Sequence, residues 1–122
     1  MAYNEELADR LRERLVHLDN MEEKAMMGGL VFMYNGKMCL GIIKDELMCR
    51  IHPDIHNQAV EEMGCRTMDF TKRPLKGYIL ISEEGMQSTK KLDYWIQLAK
   101  GLLIYLISIL RLMMIFALQM VL

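Results

Sequence analysis

The dipeptide Asn35-Gly36 narrows the fold of this 122-residue chain more than any other feature. A type I′ hairpin turn needs positive φ at both central positions, and asparagine and glycine tolerate it best. The flanking residues alternate. Leu30, Phe32 and Tyr34 fall on one side of a strand, with Val31 and Met33 on the other. After the turn, Met38, Leu40 and Ile42 alternate with Cys39, Gly41 and Ile43 in a second strand, Lys37 to Ile43. A turn at Lys44-Asp45-Glu46 leads to a third strand, Leu47 to Ile51. Connections this short make the three strands antiparallel neighbours.

Helices flank this meander. Leu7, Leu11, Leu15 and Leu18 recur at helical spacing over residues 4 to 18, with Asn4 as N-cap and Glu5 and Glu6 at the positive end of the dipole. Pro53 suits the first turn of a second helix, running to about Met63 and closed by Gly64, with Ile55, Ala59, Val60 and Met63 as its apolar face. Short strands follow at Met68 to Phe70 and Gly77 to Ser82, with a loop from Thr71 to Pro74. Ser88 or Thr89 caps a last helix whose buried stripe is Leu92, Trp95, Ile96 and Ala99. The expected order is α-β-β-β-α-β-β-α, an α+β domain with helices packed on one antiparallel sheet and an extended C-terminal helix. The expected division is a domain over residues 1–100 and an apolar helical tail over 101–122.

Three ordered motifs now stand out. Tyr3-Asn4-Glu5-Glu6-Leu7-Ala8 is followed by MMGGLVFMYNGKMCLGI, from Met26 to Ile42, and by MDFTKRPLKGY, from Met68 to Tyr78. Together they resemble the N-terminal domain of the TfoX/Sxy family, over about Tyr3 to Ala99; Met26-Met27-Gly28-Gly29 stands where the family usually has Met-Phe-Gly-Gly. The resemblance implies an α-β3-α-β2-α fold and a regulatory role. Named members promote natural competence, are thought to act with a cyclic-AMP-responsive transcription factor, and carry a second, helical domain that this chain is expected to lack. None of the motifs implies a catalytic residue or a cofactor.

The remaining chemistry is sparse. A formal net charge of −1 gives no global field to attract a polyanion, so direct nucleic-acid binding is not expected. Three cysteines, an odd number without CxxC spacing, suit a reducing compartment better than a disulfide framework, and Asn4-Glu5-Glu6 does not open a secretory signal. Cytoplasmic localisation is expected. Cys49, His52, His56 and Cys65 are zinc-ligand types, but His52 precedes Pro53 and Cys49 shares a face with Leu47 and Ile51; core thiols and solvated histidines are the simpler reading. No nucleophile is found beside a base and an orienting group, so no enzyme is expected. Thirteen methionines read as plastic filling of cores and interfaces, with a soft-metal role the sharper alternative.

The residues singled out for partner binding are Gly28 and Gly29, as a bulge or a backbone docking site, and Arg66, Lys72, Arg73 and Lys76, as a basic cluster around the second hairpin. The expected partner is a protein, such as a transcription regulator.

Composition shifts at Gly101. The last 22 residues hold one charge, Arg111, and as a helix they run about 33 Å, enough for a ~30 Å hydrocarbon core. Thirteen Leu, Ile, Val or Phe contribute about −6 kcal/mol to insertion, against about +3 for a central arginine. Asp93, Gln97, Gly101, Tyr105, Ser108, Arg111 and Gln119 fall near one side of a helix running from about Ser88 to the end. Three readings are open: a membrane anchor with the domain on the cytoplasmic side, a helix for homo-oligomerisation, or a stretch foreign to the natural gene, such as a shifted reading frame appends.

Overall fold

A computed structural model describes residues 3–26, 28–70 and 72–121. Helix α1 is Glu5–Leu15, and the Asn4 side chain accepts the Leu7 N–H at 3.1 Å, satisfying one of the donors left free at a helix start. Its buried stripe is Leu7, Ala8, Leu11 and Leu15.

Six antiparallel strands follow: β1 (Met21–Met26), β2 (Gly29–Tyr34), β3 (Lys37–Ile43), β4 (Glu46–Arg50), β5 (Cys65–Phe70) and β6 (Arg73–Ile81), in the spatial order β1-β2-β3-β4-β6-β5. The Asn35-Gly36 turn has φ of 50° and 80°, as a type I′ hairpin demands. The α+β class and the element order agree with expectation, with one strand added. β1 pairs with β2 along its whole length but exposes five of its six residues, so it sends no hydrophobic signal. Its arrival changes the reading of Gly28-Gly29. The pair does not bulge a continuous strand; it turns β1 into β2.

Two further expectations are corrected. Cys39 lies on the helix-covered face beside Leu40, not opposite it, because the β2–β3 register shifts between Phe32 and Met33 and displaces the alternation by one residue. The second helix is short: a 3-10 turn, Pro53–Ile55, leads into α2, His56–Ala59, and irregular turns then run to Gly64, leaving Met63 67 % exposed rather than packed.

One face of the sheet carries Leu30, Phe32, Leu40, Ile42, Leu47, Cys49, Ile79 and Ile81, and α1 and the start of α3 cover it. Helix α3 runs unbroken from Thr89 to Val121, capped by Ser88, whose hydroxyl accepts the Lys91 N–H at 3.1 Å. Leu92, Trp95, Ile96 and Ala99 are buried against the sheet as expected, and the Trp95 indole N–H donates to the Gly85 carbonyl at 3.0 Å. The Arg14 guanidinium pairs with Asp93, tying α1 to α3.

The strand directions give the domain two unlike ends. One holds the α1 and α3 starts, the β3–β4 turn and the segment after β6, with Asp45, Glu46, Glu83 and Glu84 together around one shallow depression. The other holds the β2–β3 and β5–β6 hairpins and the exit of β4, where Lys37, Arg50, Lys72, Arg73, Lys76 and Lys100 outnumber Asp19, Glu22, Asp54 and Asp69. α3 leaves the sheet at this second, basic end. There Lys100 reaches the His17 ring at 3.2 Å, and Tyr105 meets His52 edge-on at 4.9 Å between centroids.

Candidate functional site

Among the described residues, no helix packs over the second face of the sheet. Val31, Met48, Met68 and Leu80 form its centre, each from a different strand, with Met33, Met38, Ile43 and Tyr78 half-buried around them. Strand alternation puts them there: they are the neighbours of the residues that face α1 and α3. Gly41 makes room for Met48, since a Cβ at Gly41 would lie 3.1 Å from the Met48 methyl and 2.8 Å from the Leu30 carbonyl oxygen. The Met48 side chain therefore lies flat and is covered by its neighbours. The result is a shallow apolar strip rich in thioethers, which repack around varied partner shapes at little cost. Charged pairs edge it. Arg66 grips Glu46 with two hydrogen bonds of 2.8 Å, and the Arg50 guanidinium sits 5.8 Å from the centroid of the Tyr78 ring.

The six residues singled out from the sequence do not form one surface. Gly28 and Gly29 lie at the acidic end, where Gly29 begins β2 opposite the end of β3. A Cβ on Gly29 would lie 1.9 Å from the Ile42 carbonyl oxygen, so the position serves a close approach of two backbones. Arg66 also lies toward that end, opposite Leu80, and its charge is matched by Glu46. Lys72, Arg73 and Lys76 are exposed at the opposite end; Arg73 is seven residues along β6 from Leu80, about 23 Å. The structure thus separates Arg66 from the other three. Thr71, which opened the expected loop, lies outside the described residues.

The thiols and imidazoles have structural places. Cys49 is fully buried, and its thiol points at the Trp95 carbonyl oxygen, 3.8 Å away. Burial pushes the Cys39 thiol up to about 12, the Cys65 thiol up to about 11 and the Cys49 thiol well above its ordinary value. Thiols in this state are poor nucleophiles at neutral pH. His56, expected in solvent, is only 5 % exposed. Its Nδ1 accepts the Gly77 N–H at 2.9 Å, so the neutral ring carries its proton on Nε2 and donates to Thr67 Oγ1 at 2.9 Å. That imidazole closes the α2–β6 junction. Among the described residues, no three His, Cys, Asp or Glu side chains converge where they could hold a metal ion.

Two grooves of about 300 and 340 Å³ flank α3. The first, at the helix start, lies between Met63, Tyr94 and Trp95 with Lys90 and Lys91 above. The second lies where the helix departs, between Leu18, Tyr34, Leu103 and Ile107. Sequence reading missed both because each joins segments far apart in the chain.

The family model described as TfoX N-terminal domain matches residues 13–101, close to three quarters of the chain. No match was found among curated proteins or among solved structures.

Proposed function

The chain belongs to the TfoX N-terminal domain family, and from that premise we propose that it is a non-catalytic regulatory module that binds a protein partner through the open face of its sheet. The observation that carries the reading is the methionine strip on the side of the sheet away from α1 and α3: Met33 and Met38 are half-exposed, over a layer of Val31, Met48, Met68 and Leu80 that neighbouring side chains bury. Half-exposed thioether chains over an apolar layer can repack around a partner's side chains. The three high thiol values and the tight hydrogen bonding of His56 also favour a binding role over a catalytic one.

A photo-crosslinking residue at Met38, compared in cells with one at Val16, tests the reading. Val16 is exposed at the end of α1, away from the strip. A discrete protein adduct at Met38 and none at Val16 is the expected result. Equal, diffuse labelling at both positions overturns it.

A further inference from the structure

The geometry points to a lipid bilayer with anionic headgroups as the partner of the basic end: the second half of α3 spans the membrane, and Lys72, Arg73 and Lys76 seat the domain on its cytoplasmic surface. This inference does not depend on a protein partner at the methionine strip.

The helix supplies the first argument. From Ile104 to Val121 it extends beyond the sheet for 18 residues, about 27 Å, close to the ~30 Å of a hydrocarbon core. Its most apolar stretch has a mean hydropathy of 2.3, yet only 11 % of that stretch is buried by the rest of the chain. A core helix of a soluble protein would be covered by its own chain, and this stretch is not.

The outer face supplies the second. A soluble two-stranded coiled coil keeps polar residues away from its seam. Here the seam Leu106, Ile109, Met113, Phe116 and Met120 is backed by Ile107, Met114, Ile115 and Leu118. Pairing with a second copy would leave those residues in water. An interfacial helix, for its part, needs a strongly charged face, and this one has Arg111 alone. Ser108, Arg111 and Gln119 make only a narrow polar stripe on that side, and the environment that suits the broad apolar remainder is hydrocarbon.

The third argument is the position of charge. α3 leaves the domain from the end that carries the basic hairpins, while Asp45, Glu46, Glu83 and Glu84 lie at the far end. Tyr34 and Tyr105 stand at the exit, where aromatic rings favour a headgroup boundary. Basic residues next to a span hold that side in the cytoplasm, and each lysine or arginine near an anionic surface adds about 1 kcal/mol at most.

The full chain, purified in mild detergent, is reconstituted with phosphatidylcholine vesicles with and without phosphatidylglycerol, then floated after alkaline carbonate. The wild type is expected to float with both and to prefer the anionic vesicles by tenfold or more. The variant Lys72→Glu, Arg73→Glu, Lys76→Glu should still float and lose that preference. Leu110→Arg with Met114→Arg should stop flotation while the domain's melting temperature stays unchanged, which separates loss of insertion from loss of fold. A wild type that remains outside the vesicles, as a discrete soluble oligomer or as a pellet, overturns the inference. An anionic preference unchanged in the triple variant overturns the role given to the basic end.

Discussion

The two halves of α3 share one rhythm and meet opposite surroundings. Leu92, Trp95, Ala99 and Leu102 are spaced three and four apart and lie buried, the first three in the core against the sheet. Leu106, Ile109, Met113, Phe116 and Met120 continue the same spacing, and the last three are 63 % to 76 % exposed. The seam therefore does not distinguish them. The outer face does: Lys90, Lys91, Asp93, Gln97 and Lys100 turn the first half toward water, whereas Ser108, Arg111 and Gln119 are the main polar residues of the second. An apolar seam says that a helix needs cover. Only its back says what kind.

Matched truncations break the comparison most forcefully. Trp95→Ala removes a buried ring and its hydrogen bond to Gly85, and should cost about 3–5 kcal/mol in chemical unfolding. Phe116→Ala should change the unfolding of the domain by less than about 0.5 kcal/mol, as truncations without packed neighbours do. A loss above 2 kcal/mol for Phe116→Ala would mean that the tail is packed by its own chain. Matched enlargements are milder. Ala99→Leu forces new volume between helix and sheet and should destabilise by about 1–3 kcal/mol, whereas Ala117→Leu should be neutral; equal melting temperatures for the two variants would erase the distinction.

Much of the covered half was legible because its signals are local. The hairpin needs only two adjacent residues with positive φ, and the Asn4 and Ser88 caps lie next to the helices they start. What escaped was non-local. β1 is an edge strand held by backbone pairing, and its MEEKAM run shows no alternation of burial. Cys39 changed face because of a register shift that no single strand encodes. His56 is buried by Gly77 and Thr67, 21 and 11 residues away, and Arg66 finds its carboxylate 20 residues away. The basic cluster divided for that last reason. The methionine strip was half visible: the alternation put Val31 and Met33 opposite Phe32, but whether a helix would cover them depends on topology.

Smaller effects sharpen the picture of how the covered half is held. His56→Ala leaves the Gly77 N–H without its acceptor and should cost about 1–3 kcal/mol, read from urea unfolding. Smallest of all is the Arg12–Glu23 pair that ties α1 to β1, at 2.7 Å and largely in solvent. The hydrogen bond from Arg12 holds the Glu23 carboxyl below the usual carboxylate range, with burial opposing it. The pair's contribution is therefore present at neutral pH and disappears as pH falls through that lowered value. Exposure and salt limit it to less than about 1 kcal/mol. Glu23→Gln should lower neutral stability by that amount and flatten the acid limb of the pH profile; a steeper acid limb would reverse the sign.

The most direct test of the division within α3 is a chain ended after Ile104, compared with the full chain by thermal unfolding and by solubility without detergent. The shortened chain should melt cooperatively at the same temperature and remain monomeric in plain buffer. A shortened chain that loses its cooperative transition, or a full chain equally soluble without detergent, would contradict it.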